Sequence, residues 1–309
     1  MNLMVLFTSN RPLSRAENIK AVYRSYDEQK RFKQTGVWKQ PITEEYSLRV
    51  SDEFVGEISP KTIMIGHGVT GGKLYGLDQA RPYYRRECSK NLLYVVTTSE
   101  EMREIAARQS GVPIDMVLAL GMPRTDAYFG TKKGDGQTAM AHKRSYLYAP
   151  TFRNIGETPF TMIDWDYIDQ NLTDGELLVV KPHMNMGRIL KKLYRHILEA
   201  PADKPSTPYL IDCDVLITDY SSIMFDAHIL KKPVVLFERA KGYIETRGMY
   251  LKYPEEYASR YCTNETDLIE TLRTAYEPGR ADKRCMMMTA AACDGHSSER
   301  VVKLIRETA

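Results

Sequence analysis

The sequence predicts an α/β fold with parallel sheets, divided into two lobes. Short apolar runs alternate with helical patterns along most of the chain, which is typical of parallel α/β proteins. Residues 131–143, TKKGDGQTAMAHK, are rich in Gly and Lys and show no period, which indicates a linker between two such sets. The predicted lobes therefore cover residues 1–140 and 141–309, although an ordinary surface loop would also explain this segment.

The elements of the first lobe follow from its apolar runs and periods. The predicted strands are residues 3–7, 62–65, 92–96 and 116–120, and the predicted helices are residues 15–26 and 100–109. No clear period appears from residue 31 to 59, so no element is predicted there.

The second lobe repeats the pattern after the linker. Its predicted strands are residues 146–149, 177–180, 215–217 and 234–237, and its closing helices are residues 267–275 and 297–305. Residues 188–199, RILKKLYRHILE, predict a basic amphipathic helix. Such a helix could touch anionic lipid, although more often it covers a core.

Composition limits the functional classes. A net charge of +3 over 309 residues is too small to indicate a nucleic-acid-binding protein. The five cysteines form no CxxC pair, which favours reduced thiols in the cytosol and argues against a zinc site. The apolar run near the start is too short for a signal segment or a membrane span, so membrane contact would be peripheral.

Three predicted strands end in similar polar loops. One runs into Gly66-His67-Gly68, another into Lys181-Pro182-His183, and a third into Asp219-Tyr220-Ser221-Ser222. In open parallel sheets, ligands bind outside the carboxyl ends of the strands. The loops therefore predict a polar ligand site.

The two histidines have chemistry that suits catalysis or phosphate binding. His67 lies between two glycines, which let a substrate approach closely, and imidazole is the commonest general base. Lys181 and His183 could together hold a diphosphate. A turn histidine and a solvated strand-end pair are the plainer alternatives.

The serine pair predicts a phosphate site. Ser221 and Ser222 lie where a helix starts, beside backbone N–H groups and the positive end of its dipole. They could instead simply cap the helix. Asp226 lies one turn later on the same face and would accept hydrogen bonds from sugar or polyol hydroxyls, unless it is an ordinary surface aspartate.

Two further loops offer phosphate contacts. Arg124 lies in GMPRTD after one strand, and Thr151 lies in YAPTFR after another. A guanidinium can bind phosphate in bidentate fashion. Either loop's arginine could instead make an ordinary surface ion pair.

These motifs together resemble a known family. HG with a downstream Lys73, then GMPRTD, YAPTFR, KPH and ITDYSSIMFD, occur in this order. The pattern resembles the CDP-glycerol glycerophosphotransferase family, the teichoic-acid primases and polymerases of bacterial cell envelopes. The resemblance implies a GT-B-like fold of two Rossmann-like lobes, with the active site in the cleft between them. It also implies action at the cytoplasmic face of the membrane.

The resemblance also implies residue roles. His67 would be the catalytic base, and His183 a second catalytic residue at the diphosphate. The implied contacts to CDP-glycerol are Gly68, Lys73, Arg124, Thr151, Phe152, Lys181, Pro182, Ser221, Ser222 and Asp226. The loop after the histidine reads HGVTGGK here, whereas the family usually has HGTPLK. No cofactor is expected, and no acidic pair is placed for a metal.

The implied reaction is transfer of glycerol phosphate from CDP-glycerol to a hydroxyl of a lipid-linked or polyol-phosphate acceptor, with release of CMP. A processive polymerase is not expected, because the sequence shows no extended N-terminal or tandem domain that would suggest one. The alternatives are a CDP-ribitol-dependent transferase, or a nucleotide-sugar transferase or epimerase on the same architecture. A protein that binds the nucleotide without turnover is also considered.

Overall fold

The computed structural model describes residues 4–9, 11–13, 16–34, 46–52, 61–66, 92–151, 162–183, 188–239, 243–244, 248–274 and 276–309. The chain divides into two compact units. Unit 1 comprises Met1–Phe129 with Met287–Ala309, and unit 2 comprises Gly130–Met286. Each unit contains one six-stranded sheet in which every paired strand is parallel. The predicted α/β class is confirmed.

The elements are numbered in chain order. The strands are β1 (Val5–Ser9), β2 (Lys30–Gln34), β3 (Leu48–Ser51), β4 (Thr62–Met64), β5 (Leu92–Thr97), β6 (Val117–Ala119), β7 (Arg144–Tyr148), β8 (Glu176–Val180), β9 (Ile197–Glu199), β10 (Val215–Thr218), β11 (Val234–Phe237) and β12 (Arg260–Cys262). The helices are α1 (Glu17–Ser25), α2 (Arg103–Ser110), α3 (Trp165–Asn171), α4 (Thr207–Asp212), α5 (Ile223–Ile229), α6 (Glu265–Arg273), α7 (Arg280–Ala290) and α8 (Ser297–Thr308).

The sheet of unit 1 has the strand order β2-β1-β3-β4-β5-β6. Strands β1, β3 and β4 are buried at every position, as expected when helices cover both sides of a parallel sheet. The order resembles the flavodoxin-like doubly wound arrangement, in which the chain changes direction between the first and third strands.

The C-terminal helix belongs to unit 1. Helix α8 is amphipathic, and its apolar stripe, Val301, Val302 and Ile305, is buried in the same core as Ile19 and Val22 of α1. The predicted second lobe ran to residue 309. The observed division differs because burying this stripe brings the end of the chain back onto the first unit.

The predicted linker, residues 131–143, is anchored to unit 2. The carboxylate of Asp212, which is fully buried, accepts hydrogen bonds from the backbone N–H groups of Gly134 (2.8 Å), Gly136 (3.0 Å) and Thr138 (2.8 Å). The Thr138 hydroxyl donates a fourth bond at 2.7 Å. The segment is therefore a fixed set of turns, and the observed division lies before it.

The sheet of unit 2 has the strand order β12-β11-β10-β7-β8-β9. Counted from β7, this is the 3-2-1-4-5-6 order of the Rossmann fold. The first three strands extend the sheet in one direction and the last three in the other. The direction reverses between β7 and β10, whose residues pair in the register Tyr146 with Val215 and Tyr148 with Ile217.

The prediction of a helix over residues 188–199 is wrong. The segment is irregular and ends in β9, which pairs with β8 at the sheet edge. Its backbone N–H groups go to carboxylates: Glu199 accepts from Ile189 and Leu190 at 2.7–3.0 Å, and Asp169 accepts from His196 at 2.7 Å. Because these bonds satisfy the amides locally, they replace the ladder that a helix would need.

Candidate functional site

The strand order of unit 2 creates a topological switch point. The loops after β7 and β10 leave neighbouring strands at the point where the winding direction reverses. Ligands of doubly wound sheets bind in the crevice outside the strand ends at such a point. The loop after β8 lies one strand further along, so the YAPT, KPH and DYSS sequences all lie at one edge of this sheet.

Asp219 joins the two loops at the switch point. Its side chain is buried, and Oδ1 accepts hydrogen bonds from the backbone N–H groups of Thr151 (2.7 Å) and Tyr220 (2.6 Å). Thr151 belongs to the loop after β7, and Tyr220 to the loop after β10. One carboxylate oxygen therefore fixes the spacing of the two loops.

The serine pair follows this clamp. Ser222 occupies the N-cap position of α5, but its side chain makes no capping hydrogen bond. Ser222 is exposed and Ser221 is half-buried, while the Ser221 carbonyl accepts from Met224 N at 3.2 Å. The plainer interpretation, that Ser222 serves as the helix cap, therefore does not fit. The Ser222 hydroxyl can donate to a ligand.

Asp226 is a buried residue, only 3% exposed, in the first turn of α5. It is therefore not the surface aspartate of the plainer interpretation. A buried carboxylate retains its charge only where nearby donors satisfy it.

The loop after β8 is held by its own lysine. Lys181 is buried, and its Nζ donates to the carbonyls of Pro182 (3.0 Å) and Ala202 (3.2 Å). Burial lowers the pKa of Lys181, and the charge of Asp203 opposes that shift. His183 at the end of the loop is exposed. The ammonium group thus anchors the loop through main-chain contacts, while the imidazole faces solvent.

An aromatic cluster that the sequence did not reveal supports the DYSS loop. Tyr220 is buried and stacks on Tyr243, with ring centroids 4.7 Å apart and planes at 10°. Its hydroxyl donates to Oε1 of Glu238, whose Oε2 accepts from the Tyr261 hydroxyl. The ring of Tyr253 also packs on Tyr220, with centroids 4.7 Å apart and planes at 46°. The backbone next to Ser221 is therefore held by aromatic packing. The sequence did not predict this cluster, because its tyrosines are far apart along the chain.

The GHG and GMPRTD sequences belong to unit 1. Gly66, the first residue of the GHG sequence, follows β4. Its φ of 63° is a left-handed conformation that favours glycine. His67, Gly68, Lys73 and Phe152 lie outside the described residues.

Arg124 lies in a 3-10 turn, Pro123–Tyr128, after β6. Its guanidinium Nη1 pairs with Glu17 Oε2 at 3.3 Å, and Nε lies 3.0 Å from the sulfur of Met122. Arg124 therefore belongs to unit 1, whereas Thr151, Ser221 and Ser222 belong to unit 2.

The rest of the GMPRTD sequence is structural. Gly121 has φ of 85°, and a Cβ there would lie 2.2 Å from the carbonyl oxygen of Ala292. Asp126 accepts from the backbone N–H groups of Ser297 (2.9 Å) and Ser298 (2.6 Å) and so caps α8. The glycine and the aspartate thus attach the end of the chain to unit 1.

The residues that the structure describes bear on metal binding and on membrane contact. No group of three or more His, Cys, Asp or Glu side chains there could hold a metal ion. None of the helices in that part of the chain has the length and apolarity needed to cross a bilayer.

Known proteins share both the sequence and the fold. A teichoic acid poly(ribitol-phosphate) polymerase from Bacillus spizizenii is 27% identical over 263 residues, which cover 79% of this chain and 42% of that protein. A teichoic acid glycerol-phosphate primase from Bacillus subtilis is 27% identical over 261 residues, which cover 79% of this chain and 68% of that one. The chain thus spans less than half the length of the polymerase.

Among solved structures, the wall teichoic acid polymerase TagF superimposes with a TM-score of 0.72 at 19% identity. The superposition covers 98% of this chain and 88% of that one. The likeness confirms the predicted GT-B-like fold class.

The family profile decides the membership. The profile described as CDP-glycerol:poly(glycerophosphate) glycerophosphotransferase matches residues 58–307, most of the chain and both units. This chain therefore belongs to the CDP-glycerol:poly(glycerophosphate) glycerophosphotransferase family.

Proposed function

We propose that this protein transfers glycerol phosphate from CDP-glycerol to an acceptor hydroxyl and releases CMP, in the synthesis of teichoic acid or a related cell-surface polymer. One observation carries the proposal. At the switch point of unit 2, the Ser222 hydroxyl makes no helix-capping hydrogen bond and lies next to the loop that the Asp219 carboxylate holds in place. A hydroxyl beside a strand end at a switch point suits a nucleotide diphosphate. Family membership supplies the class of donor.

The proposed chemistry is an in-line displacement at phosphorus. The acceptor oxygen forms a bond to the glycerol-side phosphorus, while the bond from that phosphorus to the CMP oxygen breaks. The acceptor proton passes to His67, which acts as general base, an effect typically worth about 10²–10⁴ in rate. CMP leaves with the bonding electrons, and hydroxyl donors such as Ser221 and Ser222 would stabilise the charge on its phosphate.

The other predicted residues keep their proposed roles. Thr151, Lys181, Pro182 and His183 lie at the same sheet edge as the serines, which supports a common donor site. Asp226, in the first turn of α5, would take a donor hydroxyl.

Three residues have roles that rest on family resemblance alone, namely Gly68, Lys73 and Phe152. The proposed phosphate contact of Arg124 rests on that resemblance and on the bidentate chemistry of its guanidinium. The location of the active site between the lobes likewise stays a prediction.

A second donor has specific support. The Bacillus spizizenii relative is a ribitol-phosphate polymerase, so CDP-ribitol is the alternative donor. Thermal shift with CDP-glycerol, CDP-ribitol and UDP-sugars separates the candidates. We expect the largest stabilisation from CDP-glycerol. A larger shift with a UDP-sugar would indicate a nucleotide-sugar enzyme, and binding without CMP release would indicate a protein without turnover.

We also propose a lipid-linked acceptor, met at the inner face of the cell membrane through a peripheral contact. Exposed cationic and apolar side chains in the segment before β9 support this contact: Arg188, Lys191 and Leu193, the last 90% exposed. Such a surface suits anionic lipid. Co-sedimentation with vesicles containing anionic lipid should weaken in Leu193→Asp. Equal binding by the variant and the wild type would remove this surface from the proposal.

A further inference from the structure

Asn18 connects two loops of unit 1 that carry predicted functional residues. It lies in α1 and is 2% exposed. Its Nδ2 donates to the carbonyl of Gly66, and its Oδ1 accepts from the backbone N–H of Arg124, both at 2.9 Å. Gly66 immediately precedes His67 in the sequence.

These two loops cannot meet directly through the sheet. Gly66 follows β4 and Arg124 follows β6, and β5 lies between those strands. Adjacent strands are roughly 4.8 Å apart, so the two loops start about 10 Å from each other. A side chain from the covering helix can span that gap where a backbone hydrogen bond cannot.

The carboxamide suits this position chemically. A carbonyl oxygen needs a donor and an N–H needs an acceptor, and asparagine offers both on one short side chain. The two partners also fix which atom is nitrogen and which is oxygen. An aspartate there could still accept from Arg124 but would face the Gly66 carbonyl with a second acceptor.

The neighbouring residue strengthens the arrangement. Glu17 precedes Asn18 in α1 and pairs with the Arg124 guanidinium at 3.3 Å. Glu17 therefore holds the side chain of Arg124, and the next residue of α1, Asn18, holds its main chain. Asn18 also bonds to Gly66.

We propose that Asn18 is a positioning residue, which fixes the peptide before His67 relative to the Arg124 loop. The inference rests on the proposed function, in which His67 is the general base. A general base must lie within hydrogen-bond reach of its proton, and a misplacement of about 1 Å can cost about 10²-fold in rate.

Two variants separate the two hydrogen bonds. Asn18→Asp removes the bond to Gly66 and keeps the acceptor for Arg124, whereas Asn18→Ala removes both. Ser25→Ala is the matched control, because Ser25 lies exposed at the other end of α1 and its hydroxyl donates to the Ala21 carbonyl of the same helix at 3.1 Å. The readouts are kcat and KM for CMP release, melting temperature, and hydrogen exchange at the Arg124 amide.

We expect kcat to fall about 10–100-fold in both Asn18 variants, with KM for CDP-glycerol within about threefold. The Arg124 amide should exchange faster in Asn18→Ala and stay protected in Asn18→Asp, and the control should match the wild type. A lower melting temperature with unchanged kcat per folded molecule in Asn18→Asp would overturn the proposal. If Asn18→Ala does not fold, the kcat of Asn18→Asp is by itself the test of the proposal.

The exchange measurement also separates this inference from the proposed function. If the wild type released no CMP, the proposed function would fail, and with it the role of Asn18 toward a base. Unchanged exchange at Arg124 in Asn18→Ala, by contrast, would refute the clamp itself in an active enzyme.

Discussion

Replacing Asp219 with alanine should lower the stability of the fold and also weaken the donor site. The substitution removes two hydrogen bonds from backbone N–H groups to a buried carboxylate, at 2.7 and 2.6 Å. Hydrogen bonds to charged groups contribute about 1.5–3 kcal/mol each, so the loss is about 3–6 kcal/mol. For a domain of about 150–250 residues, each kcal/mol lowers Tm by about 2–4 °C, so a fall of about 6 °C or more is expected.

The same substitution should weaken CDP-glycerol binding. If the disturbed arrangement of the two loops makes the free energy of CDP-glycerol binding about 1.4 kcal/mol less favourable, Kd rises about tenfold. Isothermal titration with CDP-glycerol measures this directly.

Thr138→Ala is the control for the Asp219 variant. It removes the 2.7 Å hydrogen bond to the buried Asp212 and the 3.3 Å bond that the Thr138 hydroxyl accepts from Met140 N. Asp212 precedes β10, at the opposite end of the strand from Asp219. We expect a lower Tm and a donor Kd within about twofold of the wild type. If Asp219→Ala changed the Kd no more than Thr138→Ala does, the clamp would have no role in donor binding.

Three further substitutions, at Ser222, Asp126 and Asp212, have expected effects on donor binding or stability. Ser222→Ala should raise the CDP-glycerol Kd several-fold in the same titration and leave Tm unchanged, because the hydroxyl does not cap α5; a Tm fall without a Kd change would contradict it. Asp126→Ala should lower the free energy of unfolding by about 1–2 kcal/mol in urea titrations, through loss of the α8 cap. Burial raises the pKa of Asp212, but hydrogen bonds from Thr138 and the Gly134 and Gly136 amides outweigh it, so the folded pKa lies below its usual value. Its stabilisation is therefore present above pH of about 4 and is lost as pH falls through the folded pKa, and Asp212→Asn should flatten this acid dependence.

The sequence predicted most of the central strands and the amphipathic helices α1, α6 and α8, but it missed the central strand β3 and wrongly predicted a helix over residues 188–199. The runs that became β10 and β11 are continuous and apolar, as buried parallel strands require. Three of the four edge strands were missed, because β2, KRFKQ, is polar and partly exposed, and β9 and β12 have three residues each. Their pairing is decided by a neighbouring strand, which local pattern does not reveal.

The site could be predicted only in part. Residue types at the strand ends indicated ligand contacts, but the sheet order that makes β7 and β10 neighbours depends on packing between distant segments. The same holds for Asp126, which caps a helix 171 residues away, and for the Asn18 clamp across β5. Such long-range contacts leave no periodic signal in a single sequence.

The proposed function is tested by measuring CMP release by purified wild type and His67→Ala with CDP-glycerol and a polyol-phosphate or lipid-linked acceptor. We expect acceptor-dependent release by the wild type. In the variant, release should fall by about 10²–10⁴-fold while CDP-glycerol still binds with a similar Kd. Release at the wild-type rate by His67→Ala would contradict the central claim.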